Sequence, residues 1–190
     1  TAIVGPVMRK ASDIAMALRT PDEADAFEAA LLHYEALCRD AGRSDWFRPE
    51  NYTSRLNTAP VPALKEWYWR ALTQCMHQAE LRLSPVAVTL SAGAAFGAVL
   101  EEADFDRLIS LNNALGTWDV VKRKNARDED QDGEWRGVTK LAVLSAFSGL
   151  AASGRTNVVA ALAQRRMQIH DRQVRDVLDQ FAKSAAPSNQ

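Results

Sequence analysis

Asp128, Asp130 and Asp132 stand at alternate positions ahead of Gly133 in DEDQDGEWRGVT. That is the spacing with which a calcium-binding loop gathers hard oxygen ligands and then bends sharply. Thr139 stands where a bidentate glutamate closes such a loop, so the pattern predicts at most a weak Ca²⁺ site. A softer metal would need histidine and cysteine. The chain has His33, His77 and His170 with Cys38 and Cys75, at spacings that do not match those of zinc cages. Cys75 and His77 fall on opposite sides of a helix, and His33 and Cys38 diverge in the same way. Both cysteines read as reduced thiols in the core. No glycine loop that cradles phosphate and no nucleophile elbow is present. Glu66, Glu101 and Glu102 could serve acid–base chemistry, although surface solvation explains them better. An unrecognised enzyme is therefore the third reading, behind two kinds of binding.

Binding to nucleic acid is suggested by the C-terminal third. Between Arg136 and Lys183 there are eight basic residues (Arg136, Lys140, Arg155, Arg165, Arg166, Arg172, Arg175, Lys183). Three acidic ones oppose them (Asp171, Asp176, Asp179), leaving a local charge of +5 in a chain whose net charge is -1. Such a patch neutralises phosphates if its side chains gather on one face. The stretch GLAASGRTNVVAALAQRRMQIHDRQVRDVLDQF resembles the general bacterial helix-turn-helix pattern: an Ala-rich support helix, an aliphatic residue at the turn (Ile169) and a Val-containing second helix. The resemblance implies that Arg165 and Arg166 hold phosphates while Arg172, Gln173 and Arg175 face bases. A homodimer is then expected, because one reading helix seldom supplies enough contacts. The plain alternative is a helical subdomain with a solvated charged face.

Trp46, Phe47, Trp67 and Trp69 carry the second kind of binding, a protein-interaction adaptor with an aromatic surface. At 100° per residue, the WYW of 67–69 spreads three rings over about 200° of helix circumference, more than one buried stripe holds. Either that helix is central or a ring faces a partner.

These residues need elements to position them. Thr20, Pro21 and Glu23 form a capping box opening a helix that the apolar spacing carries to about residue 40, with Gly42 as its terminator. Val7 to Arg19 predicts a shorter helix beside it. Residues 42–60 hold Gly, two Pro and no steady period, and read as a long connection anchored by Trp46, Phe47 and Tyr52. A second helix is expected from about 62 until Pro85. Val86, Val88 and Leu90 alternate, so 85–91 reads as a short strand or as helix. Two short helices follow, the second ending at Gly116, and Gly93 and Gly97 would admit a close backbone. KRKNARDEDQDGE at 122–134 lacks any large apolar residue and reads as a solvated loop. Helices are then expected at about 138–152, 156–168 and 171–183, before a frayed tail.

The whole is predicted to be a mainly α bundle of about seven or eight helices, with a possible minor strand. It divides into a helical core (1–121), a charged loop (122–137), a C-terminal helical unit (138–184) and a tail (185–190). Hydrophobic residues at 47% and charged residues at 25% are ordinary for a water-soluble globular chain. SPVAVTLSAGAAFGAVL, at 84–100, is too short and too rich in small residues to span a bilayer. The first residues place basic groups among apolar ones, the wrong order for a secretory signal, so a cytoplasmic location is expected.

Overall fold

The computed structural model describes residues 18–117 and 131–185. It is an all-helical bundle, with no strand among the described residues. In chain order the helices are α1 (Pro21–Asp40), α2 (Glu50–Thr58), α3 (Lys65–Thr73), α4 (Leu83–Val99), α5 (Phe105–Leu115), α6 (Gln131–Ala152), α7 (Thr156–Gln164) and α8 (Arg172–Ala185). The helix expected between Val7 and Arg19 lies almost wholly outside the described residues, as do residues 118–130, which include the first part of the charged segment, and the last five residues.

Helix α1 begins as its sequence dictates. The Thr20 hydroxyl accepts the Glu23 N–H at 3.3 Å, and the Glu23 carboxylate accepts the Thr20 N–H at 3.1 Å. At its other end Gly42 turns left-handed at φ 66°, and the next N–H, of Arg43, reaches back to the Cys38 carbonyl at 2.8 Å.

The stretch 42–60 is not a plain connection. It contains a 3₁₀ turn (Ser44–Trp46) and then α2, which the sequence reading missed because ENYTSRLNT is short and polar. Pro49 and Pro60 bracket this helix and fit its ends. The anchoring role predicted for the aromatics holds for Phe47 and Tyr52, which pack edge-on against Tyr34 of α1 at centroid distances of 5.3 and 6.3 Å.

Two boundaries also differ in the middle of the chain. The helix beginning near 62 stops at Thr73, continues as a 3₁₀ turn through His77 and does not reach Pro85. Side chains replace its ladder. Thr89 donates to the Ala71 carbonyl at 2.7 Å, and Gln74 donates to the Pro85 carbonyl at 3.3 Å. Pro85 instead lies in the first turn of α4, where no backbone donor is needed. The Leu83 and Ser84 N–H groups are both taken by the Glu35 carboxylate of α1 at 3.0 Å. Residues 85–91 are thus helix, not strand, and they continue without a break to Val99.

Helix α4 is apolar on all sides and sits at the centre, packed against α1, α2, α3 and α6. Its closest neighbour is α6, and glycine permits that approach. A methyl at Gly93 would overlap the Ala142 carbonyl, one at Gly97 the Ala146 carbonyl, and one at Gly149 the Ala94 carbonyl. The two backbones therefore touch, as the small residues of 93 and 97 suggested. One cluster of buried side chains runs from Leu18 and Phe27 through Phe96 and Phe147 to Val174 and Leu178.

Candidate interaction surface on the C-terminal unit

Helices α7 and α8 pack on α6 through Val158, Val159, Leu162, Ile169, Val174 and Leu178, all buried. Of Val174, Val177, Leu178 and Phe181, whose spacing suggests the inner face of α8, Val174 and Leu178 are buried, Val177 is half-buried and Phe181 is exposed. Seven residues join α7 to α8, including a 3₁₀ turn at Arg166–Gln168. That corner is fastened from two other helices. Asn113 of α5 donates to the Gln168 carbonyl at 2.7 Å and accepts the His170 N–H at 2.9 Å. Asp171 accepts the Gln173 N–H at 2.9 Å, capping α8, and pairs with the Lys140 ammonium of α6 at 2.9 Å. Lys140 also donates to Asn112 Oδ1 at 2.6 Å. Both charges are buried, at 0% and 3% side-chain exposure. Burial pushes the Lys140 ammonium below the usual lysine range despite its partner. Burial pushes the Asp171 carboxyl up, but Lys140 and the backbone N–H groups of Gln173 and Val174 outweigh it, leaving the acid below its ordinary value.

The basic residues meet different partners. Lys140 is in the core. Arg155 donates to the Ala98 and Leu100 carbonyls at 3.3 and 2.6 Å, closing the C-terminal end of α4. Arg165 pairs with Asp106 of α5 and with Gln168 Oε1. Arg166 pairs with Asp179 at 2.6 Å, and Arg172 faces Asp176 one turn along at 3.7 Å. Arg175 is half-buried and forms no ion pair with a described residue. Arg165, Arg166 and Arg172 are thus each set against a carboxylate, those of Arg166 and Arg172 both belonging to α8. Gln173 is exposed.

The same unit carries apolar exposure instead. Leu144, Phe147 and Ser148 of α6 face Gln173, Val174 and Val177 of α8 across a cleft of about 190 Å³. Leu141, one turn before Leu144, is 41% exposed, and Phe181, one turn after Val177, is 39% exposed. At the corner Met167 is 77% exposed.

The aromatic surface expected of Trp46, Phe47, Trp67 and Trp69 does not exist as a unit, because Phe47 and Trp67 are buried. Phe47 fills the small cluster on α1. Trp67 sits in the main core and donates its indole N–H to Asp25 at 3.1 Å. Trp69 is half-covered, tilted against Phe96 with the Arg107 guanidinium 4.4 Å above it. Trp46 alone of the four is exposed, under Arg43. The WYW problem is resolved by position: α3 packs against α4, α6 and the 62–64 turn, and Trp67 reaches Asp25 of α1, so the helix can bury rings on several sides.

For the calcium pattern, Asp128 and Asp130 lie outside the described residues. Asp132, Gly133 and Thr139 lie within α6, whose backbone runs straight through the glycine where a calcium loop would bend. The Thr139 hydroxyl is buried and donates to the Trp135 carbonyl at 2.8 Å. Cys38 and Cys75 are buried free thiols, burial pushing the Cys75 thiol up, whereas His33, His77 and His170 are exposed. No group of three His, Cys, Asp or Glu among the described residues is placed to hold a metal ion. Glu66, one of the candidate acids, forms a two-point ion pair with Arg107 at 2.8 and 3.1 Å, which holds its carboxyl below the ordinary value. No described helix is long and apolar enough to cross a membrane. Set beside known proteins, the chain matches no family model, no curated sequence and no solved structure.

Proposed function

We propose that the chain is a binding module whose C-terminal unit receives a protein partner at the cleft between α6 and α8. The observation that carries this reading is the concentration of apolar exposure there, at Leu141, Phe181 and the 190 Å³ cleft, on a unit whose cations are mostly engaged. Exposed apolar side chains around a cleft give a protein partner surface to bury. The two unpaired cysteines fit action in the cytoplasm.

Photo-crosslinking tests it. A photoreactive residue at exposed Leu141 or Gln173 is expected to trap a protein in cells that a probe at exposed Asp22 of α1 does not trap. Leu141→Lys is expected to abolish the product formed from position 173. Equal labelling from all three positions, or none from 141 and 173, removes the reading.

Duplex DNA binding by α8, with a homodimer supplying two reading helices, is the second reading, and one observation favours it. Arg172 is 85% exposed and its ion pair with Asp176 spans 3.7 Å; exposed pairs of this kind are worth roughly 0–1 kcal/mol, so phosphate could displace them. In this case affinity for duplex DNA falls steeply with salt, and alanine at Arg165, Arg166, Arg172 and Arg175 together removes it. No binding at low salt ends that alternative.

A further inference from the structure

Away from the C-terminal unit, where α2 meets α3, a cavity of about 80 Å³ is lined by Leu18, Arg19, Arg55, Leu56, Val61 and Tyr68, among others. Three separate pieces of chain build it. Arg19 directly precedes the cap of α1, Arg55 lies on the second half of α2, and Tyr68 projects from α3. The Tyr68 ring is buried, and its hydroxyl accepts the Val61 N–H at 2.9 Å. Having used a lone pair for that bond, the phenol keeps its own proton to donate.

Two arginines border this cavity. Several other arginines meet acids across helices, Arg70 with Asp25, Arg107 with Glu66, Arg165 with Asp106 and Arg166 with Asp179, and Arg155 meets backbone carbonyls. Arg19 and Arg55 line one small cavity, and neither forms an ion pair with a described carboxylate. Glu23, four residues on from Arg19, accepts the backbone N–H groups of Arg19 and Thr20 on one carboxylate oxygen at 2.7 and 3.1 Å. Arg19 spends one nitrogen on the Leu18 carbonyl at 2.7 Å and retains other N–H donors. Its charge reaches the phenol as well: burial raises the Tyr68 pKa, while the Val61 N–H and Arg19 oppose the rise. Two like charges bordering one cavity repel, and an anion placed between them reverses the sign of that interaction.

We infer that this cavity is a binding site for a small oxyanion of the phosphate class, held between the Arg19 and Arg55 guanidiniums and a hydrogen bond from the Tyr68 hydroxyl. Planar guanidinium forks match tetrahedral oxyanions in geometry as well as charge. A space of about 80 Å³ is on the scale of one such group. The ligand is therefore free inorganic phosphate, or the terminal phosphate of a molecule whose remainder stays in solvent.

Isothermal titration of the full chain with sodium phosphate, at ionic strength fixed with chloride, tests the site. Saturable one-to-one binding is expected, about tenfold or more weaker in each of Arg19→Gln and Arg55→Gln. Both positions are exposed, so the variants should fold, and unchanged far-UV circular dichroism checks that they do. Glycerol phosphate distinguishes the sources: binding as tight as phosphate or tighter points to a terminal phosphate, and weaker binding points to the free ion. Absence of saturable phosphate binding overturns the site, as does equal affinity in wild type and both variants. Neither result bears on the α6–α8 cleft, which shares no residue with this cavity.

Discussion

Lys140 carries a positive charge to a place with no water contact, and it does so to meet Asp171, the residue that starts α8. Removing two charges from water costs several kcal/mol, which their attraction and the Asn112 contact offset only in good geometry. The asymmetry of such pairs makes a sharp prediction. Lys140→Met leaves the Asp171 carboxylate buried without its partner and should destabilise the fold by about 3–5 kcal/mol. Adding Asp171→Asn removes the orphaned charge while keeping a good capping side chain, so the double variant should recover most of that loss. Urea unfolding with an unchanged slope measures both, and strictly additive losses would show that the two residues are not coupled. The sequence could not reveal this role. Lys140 counts as one more cation in a basic stretch until its partner, 31 positions along the chain, is seen beside it. The same holds for Arg165, whose acid on α5 is 59 residues away. Charge totals register composition, whereas availability depends on tertiary neighbours.

Among the elements, α4 and α6 meet at the closest approach in the molecule, and three glycines permit it. Gly97→Ala places a methyl on the Ala146 carbonyl, which belongs to a helix backbone and cannot swing aside, so the helices must separate. A loss of at least about 2–3 kcal/mol is expected in thermal or urea unfolding, the upper part of the range for overpacking. Gly42→Ala tests a different cause: there a side chain meets open space, and only the left-handed backbone resists it. A Gly97→Ala protein as stable as wild type would mean that the two helices are not in backbone contact. How legible each element was follows from what defines it. Helix α1 is written in local chemistry, a capping box at one end and a left-handed glycine at the other, and its bounds were readable. So was the end of α5 at Gly116, with φ 83°. Helix α2 has only nine residues with two buried side chains, Thr53 and Leu56, too little periodicity to stand out between prolines. The stop at Thr73 was unreadable because a residue 18 positions away, Thr89, takes the Ala71 carbonyl. Alternation at 85–91 left strand and helix both open for a related reason: a helix apolar on every side has no polar face to set its period.

At the scale of the molecule, buried side chains form one main cluster that includes residues from α1 and from α8. A boundary near the charged segment, sensible from composition, therefore does not separate two cores. Unfolding should be a single cooperative event. Tryptophan fluorescence, to which buried Trp67 of α3 contributes, and far-UV circular dichroism should give coincident urea midpoints. Separated transitions would instead mean that α7 and α8 melt as a unit of their own. The candidate surface was half legible on this scale. The burial of Val174 and Leu178 on α8 followed from spacing, whereas the exposure of Phe181 did not. The cleft toward α6 did not, because it depends on how two helices distant in sequence cross.

The fastening of the α7–α8 corner bears on how anything could dock there. Asn113 grips the turn, and the Lys140–Asp171 pair pins the start of α8, so this helix is anchored at its root. A visitor meets a template already in shape and forfeits little conformational freedom by settling on it. Such a surface favours a partner that itself adapts, with encounter rates governed by the visitor's flexibility more than by any rearrangement of the host.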